Sequence, residues 1–235
     1  MMKLAAVADI HAPLYLDLFK RSLDSFVKTN DSITCFLLCG DIVERGRFEH
    51  LDEISQNLDK IHFPIYGCFG NNEYRDYEAV IREKLPSVNF LNDSFVTFES
   101  NDLTFAIVGS RGVLDEPTFW QKKNWPDIEN VYDERTRSLT DLANRCRADF
   151  RILLIHYPPT LKILEGENNK FLRQMGSSRL ESLIRRFDLV VTAHSHRGKK
   201  MVEVDGVQVV NVSLPLNNQI TVLDLTKRKG LDAFF

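Results

Sequence analysis

ITCFLLCGDIVERG, residues 33–46, is an apolar run that stops at Gly40-Asp41 and then turns charged. Its first part, residues 33–38, lacks polar–apolar alternation, the pattern of a strand covered on both faces. Two similar runs flank it: KLAAVA (3–8) leads into Asp9-Ile10-His11, and PIYGCF (64–69) leads into Gly70-Asn71-Asn72-Glu73. Amphipathic stretches predict helices over 14–29, 48–60 and 74–85. Strand–helix units of about 30 residues predict βαβ crossovers and a parallel sheet.

Farther along the chain the pattern changes. Strands at 88–91, 94–99 and 103–109, joined by tight polar turns, predict a meander. Residues 110–130 hold both tryptophans and show no clean period, so they read as an irregular excursion. A helix over 131–146 and the strand RILLI (151–155) follow, then a second irregular stretch (160–176) and a helix over 177–187. Strands are predicted at 188–192, 200–204, 207–212 and 219–225, and the tail beyond Leu225 receives no assignment. With no repeat and no linker-like shift, residues 1–235 are expected to form a single domain.

At 43% hydrophobic and 27% charged, the chain has an ordinary globular composition and can bury a layered core. A net charge of −3 argues against a nucleic-acid backbone or an anionic membrane as partner. Cys35, Cys39, Cys68 and Cys146 show no CxxC spacing, and are expected to be buried, reduced thiols. The start MMKLAAVADIHAP has too short an apolar run for a signal peptide. No stretch approaches the roughly 20 apolar residues of a membrane span. A cytoplasmic protein is the expectation.

The strong strands end in metal-binding residue types. Asp9 and His11 stand at i, i+2, which puts both on one side of an extended segment. Asp41, Asn71 and His156 each follow an apolar run, and Ala193-His194-Ser195-His196 ends DLVVT with a second i, i+2 pair. Parallel strands bring their carboxyl ends to one sheet edge, where open α/β folds bind ligands. Each element alone has a plainer explanation. Gly-Asp is also a turn and helix cap, and a single strand-end histidine is usually a satisfied one. Their joint occurrence is what points to a metal centre. His50 and His62 fall in or just after a polar helix and are assigned to the surface.

The series Asp9-x-His11, Gly40-Asp41-x-x-Glu44-Arg45, Gly70-Asn71-Asn72-Glu73, His156 and Ala193-His194-x-His196 resembles the five blocks of the calcineurin-like metallophosphoesterases. In that family the blocks run DxH, GDxx(D/E)R, GNH(D/E), H and GHxH. The resemblance implies an α/β fold, a four-layer α-β-β-α sandwich of two mixed sheets flanked by helices. It also implies two divalent ions, one on Asp9, His11 and His196, the other on Asn71, His156 and His194, with Asp41 bridging. Imidazole and carboxylate donors suit Mn, Fe, Zn, Ni or Co, with manganese taken as the expectation. The implied chemistry is attack by a metal-held hydroxide, while the ions neutralise the phosphoryl oxygens.

Two departures stand out. Ala193 replaces a glycine, which is tolerable where the backbone needs no positive φ. Asn72 replaces the histidine taken in this family to protonate the leaving oxygen, and an amide has no such proton to give. The expected bond is therefore a phosphodiester or pyrophosphate in a small, nucleotide-like phosphorylated substrate. The closest likeness is to the small prokaryotic, cyclic-nucleotide phosphodiesterase-like branch. GDIVERG also resembles a block of nucleoside polyphosphate and protein phosphatases, which is the rival enzyme reading. A catalytically inactive interaction module is the rival from outside enzymology, and homo-oligomerisation stays open. Arg45 is the candidate phosphate contact and Arg111 a second residue facing the cleft. Phe119, Trp120 and Trp125 are candidates for a lid or base-stacking wall, and Glu165, Glu167 and Asn168 for polar cleft contacts.

Overall fold

A computed structural model describes residues 2–30 and 32–225. The three leading runs form β1 (Lys3–Val7), β2 (Cys35–Cys39) and β3 (Ile65–Cys68), paired in parallel, and β4 (Val88–Phe90) joins β3, also in parallel. The second sheet is built from β5 (Ser94–Ser100), β6 (Leu103–Ser110), β7 (Phe150–Ile155), β8 (Leu189–Thr192), β9 (Met201–Val204) and β10 (Val207–Asn211), in the order β5-β6-β7-β8-β10-β9. Its inner strands run parallel, while β5 and β9 lie antiparallel at the edges. The chain then returns as β11 (Thr221–Asp224), antiparallel to β1, so the first sheet reads β11-β1-β2-β3-β4.

Strand periodicity explains the unbroken apolar runs. Along β2, Cys35, Leu37 and Cys39 point into the core between the sheets, while Phe36 and Leu38 point under the helices. β7 divides likewise: Ile152 and Leu154 face the other sheet, Leu153 and Ile155 the outer helices. Helices α1 (Leu16–Thr29), α2 (Leu51–Leu58) and α3 (Glu78–Lys84) cover the first sheet. On α1 the buried residues Leu16, Phe19, Leu23 and Phe26 follow the 3–4 spacing of one helical stripe. Truncating fully buried Leu23 to Ala is worth roughly 2–5 kcal/mol. Helices α4 (Phe119–Asn124), α5 (Ile128–Arg145) and α6 (Glu181–Ile184) follow in the second half, and α5 and α6 cover the outer face of the second sheet. The result is the four-layer sandwich of two mixed sheets that the resemblance implied.

Several expectations need correction. There is no meander: β4 completes the first sheet and β5–β6 opens the second as a hairpin. The excursion at 110–130 contains α4 and the start of α5. Thr118 and Gln121 form a capping box at α4, a Thr-x-x-Gln signal present in the sequence. The helix expected over 177–187 shrinks to α6, and α7 (Leu214–Asn217) was not foreseen. The tail after Leu225 lies outside the described residues. Cys35, Cys39, Cys68 and Cys146 are buried and unpaired, with the Cys39 and Cys68 sulfurs 3.9 Å apart. Among the described residues, no helix is long and apolar enough to cross a membrane.

Candidate metal centre

The carboxyl ends of β1, β2, β3, β7 and β8 meet at one place, and the turns that leave them carry the donors. Asp9, His11 and His196 form one group whose ligand atoms lie within 4.8 Å of one another; Asp41, His156 and His194 form a second. Asp41 stands between the groups. Its Oδ2 is 3.6 Å from His11 Nε2 and 3.6 Å from His156 Nε2. Asn71 joins the second group through Oδ1, 3.1 Å from His156 Nε2.

Backbone strain aims these side chains. Asp9 (φ 57°), His11 (42°), Asp41 (51°) and His194 (70°) all occupy the left-handed region, uncommon for residues with a Cβ and typical of over-determined functional turns. Ala193 does not, which is why alanine is accepted there. Gly40 must be glycine: its φ is +81°, and a Cβ would strike the Gly70 backbone and sit 2.9 Å from His156 Nδ1. That close approach seats the Asp41 turn against the Asn71 turn.

A buried carboxylate ties the turns together. Glu73 is wholly buried and accepts four backbone N–H groups, from Asp41 and Gly70 on Oε2 and from Ile42 and Val43 on Oε1. Burial and the Asp41 charge push its pKa up, against the pull of these donors. Glu73 belongs to a block read from the sequence, yet nothing local assigned it this task. Its acceptor count depends on a turn over 30 residues away. Asn72 braces the same aspartate: its backbone N–H donates to Asp41 Oδ1 at 2.8 Å and its amide to Oδ2 at 2.7 Å.

The donors fit divalent cations. Buried Asp9 Oδ1 and both His11 ring nitrogens have no hydrogen-bond partner; Glu44 Oε2 comes within 2.9 Å of His11 Nδ1 but out of line for a hydrogen bond. His156 Nδ1 donates to the Cys39 carbonyl at 2.9 Å, which leaves a lone pair on Nε2 facing the Asn71 oxygen. Two electron-pair donors aimed at each other are what a cation between them reconciles. Burial, and the His156 ring beside it, lower His194 to about 4, so it is a neutral donor at physiological pH. Burial pushes Asp9 up, but pairing with the His196 ring 3.5 Å away outweighs it, holding Asp9 well below the usual carboxylate range. The same pairing outweighs burial at His196 and raises it.

Beside the donors opens a cleft of about 450 Å³, lined by Arg45, Asn71, Asn72 and His194 and by the aromatic rings Tyr74, Trp120 and Trp125. Arg45 sits on a left-handed turn (φ 48°), its side chain 80% exposed, with Glu44 3.2 Å away. Arg111 does not line the cleft. It is buried, and its guanidinium donates to the Glu73 carbonyl and to the Glu78 carboxylate at 2.7 Å, so the expectation that it faces the cleft is corrected. Glu165, Glu167 and Asn168 also lie off the cleft lining. Glu167 instead accepts the Ser195 hydroxyl and the Arg197 N–H, clamping the loop that carries His194 and His196.

Known proteins share this architecture. GAP50, the anchor in the inner membrane complex of Plasmodium, superposes with a TM-score of 0.61 at 14% identity, over 91% of this chain and 72% of that one. Haemophilus influenzae NAD nucleotidase gives 0.57 at 15% identity, over 90% of this chain and 44% of that one. No curated protein sequence matches the chain. The profile of the calcineurin-like phosphoesterases matches residues 2–198, which span every donor named above, and the chain belongs to that family of metal-dependent phosphoric ester hydrolases.

Proposed function

We propose that the protein hydrolyses a phosphodiester or pyrophosphate bond in a small phosphorylated substrate. Divalent cations would be held by Asp9, His11 and His196 and by Asn71, His156 and His194, with Asp41 between them. The observation that carries this reading is the engagement of Asn72. Its amide nitrogen donates to Asp41 and its amide oxygen accepts the Arg45 N–H at 3.0 Å, so it braces a ligand and the Arg45 turn. It has no proton for a departing oxygen. Among the cleft-lining residues His194 is the only imidazole, no carboxylic acid appears, and the two phenols are Tyr157, whose buried hydroxyl meets Gln121, and Tyr74, which stacks on Trp120. Phenolate or phosphate leaves without a general acid, whereas an alkoxide that needs one loses about 10²–10⁴-fold, so the bond favoured is a pyrophosphate or a phosphodiester whose leaving oxygen is weakly basic.

Bound cations supply positive charge to the phosphoryl oxygens and lower the pKa of water. The chain's own residues do the rest. Arg45 offers a planar fork to the non-bridging oxygens, and Asn72 and Glu73 hold Asp41 in place. A cleft of about 450 Å³ has the dimensions of a small-molecule site, which favours a small substrate over a phosphoprotein. The full donor set argues against an inactive interaction module.

The test is metal-stripped protein reconstituted in turn with Mn²⁺, Fe²⁺, Co²⁺, Ni²⁺ and Zn²⁺, assayed on diesters, pyrophosphates and monoesters. Diesters and pyrophosphates should turn over, with Mn²⁺ effective, and Asp41→Ala should abolish activity. Faster turnover of alkyl monoesters would reverse the assignment. Bound metal without turnover of any ester would support the interaction module.

A further inference from the structure

Tyr74, Trp120 and Trp125 brace one another before any ligand arrives. Trp120 stacks on Tyr74, centroids 5.6 Å apart and planes 23° apart, and meets Trp125 edge-on at 5.1 Å. Tyr74 rests on Gly46, where an added Cβ would lie 3.1 Å from the ring. The Arg75 guanidinium covers Trp125 at 5.6 Å. The capping box at Thr118 and Gln121 anchors the first turn of α4, which carries Trp120.

The two tryptophans do different things. Trp125 packs against the core under the second sheet, whereas Trp120 belongs to none of the three cores and keeps 47% of its surface exposed. A braced indole left open inside a cleft that also holds Arg45 and His194 is a ligand face, not core packing. We infer that Trp120 is the stacking platform for a nucleobase, and that the substrates are nucleotides whose phosphoryl group meets the Asp/His donors while the base lies on the indole. This rests on the reading of those donors as the phosphoryl site.

Every base has a π-face, so the platform is base-tolerant, and a ring already braced loses little freedom on binding. Gln174 lines the same cleft; its amide donates one N–H to Glu116 over a long 3.4 Å contact, and the NH₂ carries a second N–H for a base edge.

The test is equilibrium binding to Mn²⁺-loaded protein, followed by calorimetry and tryptophan fluorescence, with adenosine 5′-monophosphate against ribose 5-phosphate, the same phosphate and sugar without a base. The wild type should bind the nucleotide about tenfold or more tightly than the sugar phosphate. Trp120→Ala should erase that advantage without changing metal content, and Trp120→Phe should restore much of it. Equal binding of the two probes, no binding of either, or an advantage that survives Trp120→Ala overturns the platform. Equal binding with diesters still cleaved removes the base site and leaves the hydrolase reading intact. A nucleotide advantage with no ester cleaved does the reverse.

Discussion

Glu73 Oε2 accepts the Asp41 backbone N–H at 2.8 Å, so a fully buried carboxylate on one turn orients the aspartate that stands between two groups of metal donors on another. The same carboxylate takes three further N–H groups. Glu73→Gln would set an NH₂ against two of these donors. Unsatisfied buried donors cost about 1–3 kcal/mol each, so the variant should lose roughly 2–6 kcal/mol of stability and part of its metal. Urea midpoints and elemental analysis measure both. An unchanged midpoint would show that the four bonds do not hold the turn.

Glu167 should tune metal affinity from outside the ligand set. It accepts the Ser195 hydroxyl at 2.9 Å and the Arg197 N–H at 2.8 Å, on either side of His196. Glu167→Ala should weaken Mn²⁺ binding by up to about tenfold, the low end of the cost of removing a group bonded to a ligand itself, because Glu167 holds only the residues flanking His196. Glu167→Gln keeps a carbonyl acceptor and should recover much of that loss. Calorimetric titration of stripped protein reads the effect; identical affinities for all three proteins would assign Glu167 to loop packing alone.

Asn72→His puts an imidazole at the position of the family's proton donor. Cleavage of alkyl esters should rise about tenfold or more, while esters of good leaving groups change little or fall as the Asp41 and Arg45 contacts are lost. The measurement is kcat/KM across esters of graded leaving-group pKa. A flat wild-type profile would mean that another group protonates the leaving oxygen.

Asp115 supplies a pH test away from the metal donors. Burial raises its pKa, but hydrogen bonds from the Ser177 and Ser178 hydroxyls and the Ser178 and Arg179 N–H groups outweigh burial and leave it below the ordinary 3.8. A depressed folded-state pKa contributes stability above the unfolded value, and that contribution is lost as pH falls through the folded one. Asp115→Asn should therefore cost about 1–3 kcal/mol at pH 7. The gap to wild type should narrow below about pH 3.8. Urea unfolding of both proteins between pH 7 and 3 checks it, and a constant gap would rule out the carboxylate's charge as the cause.

Much of the fold was readable locally because its signals are local. The runs ending at Asp9, Asp41, Gly70, His156 and His194 are strands buried on both faces, and a doubly buried strand leaves a continuous apolar run in any context. The α1 stripe was as plain, since a 3–4 spacing names its own buried face. Pairing partners were not readable. Residues 88–109 showed three short strands, but whether β4 pairs with β3 or β5 depends on edges made more than 20 residues earlier.

Side-chain commitments followed the same division. The joint occurrence of Asp9, His11, Asp41, His156, His194 and His196 at strand ends marked them as candidates, and the resemblance to the five family blocks added Asn71. Which atoms each one spends elsewhere was decided only by packing. Arg111 carried the charge to face a phosphate, yet the fold brings Glu78 and the Glu73 carbonyl to it first. Glu73 stood in a block read from the sequence but with no task assigned, and the approach of Gly40 to Gly70 surrounds it with four N–H donors. The sequence by itself determined the main strands, the buried face of α1 and the set of candidate donors, because these depend on residue type and short spacing. Tertiary structure decided the sheet order, the bracing of Asp41 and the open face of Trp120, because hydrogen bonds and burial belong to pairs of groups that meet only when distant segments pack.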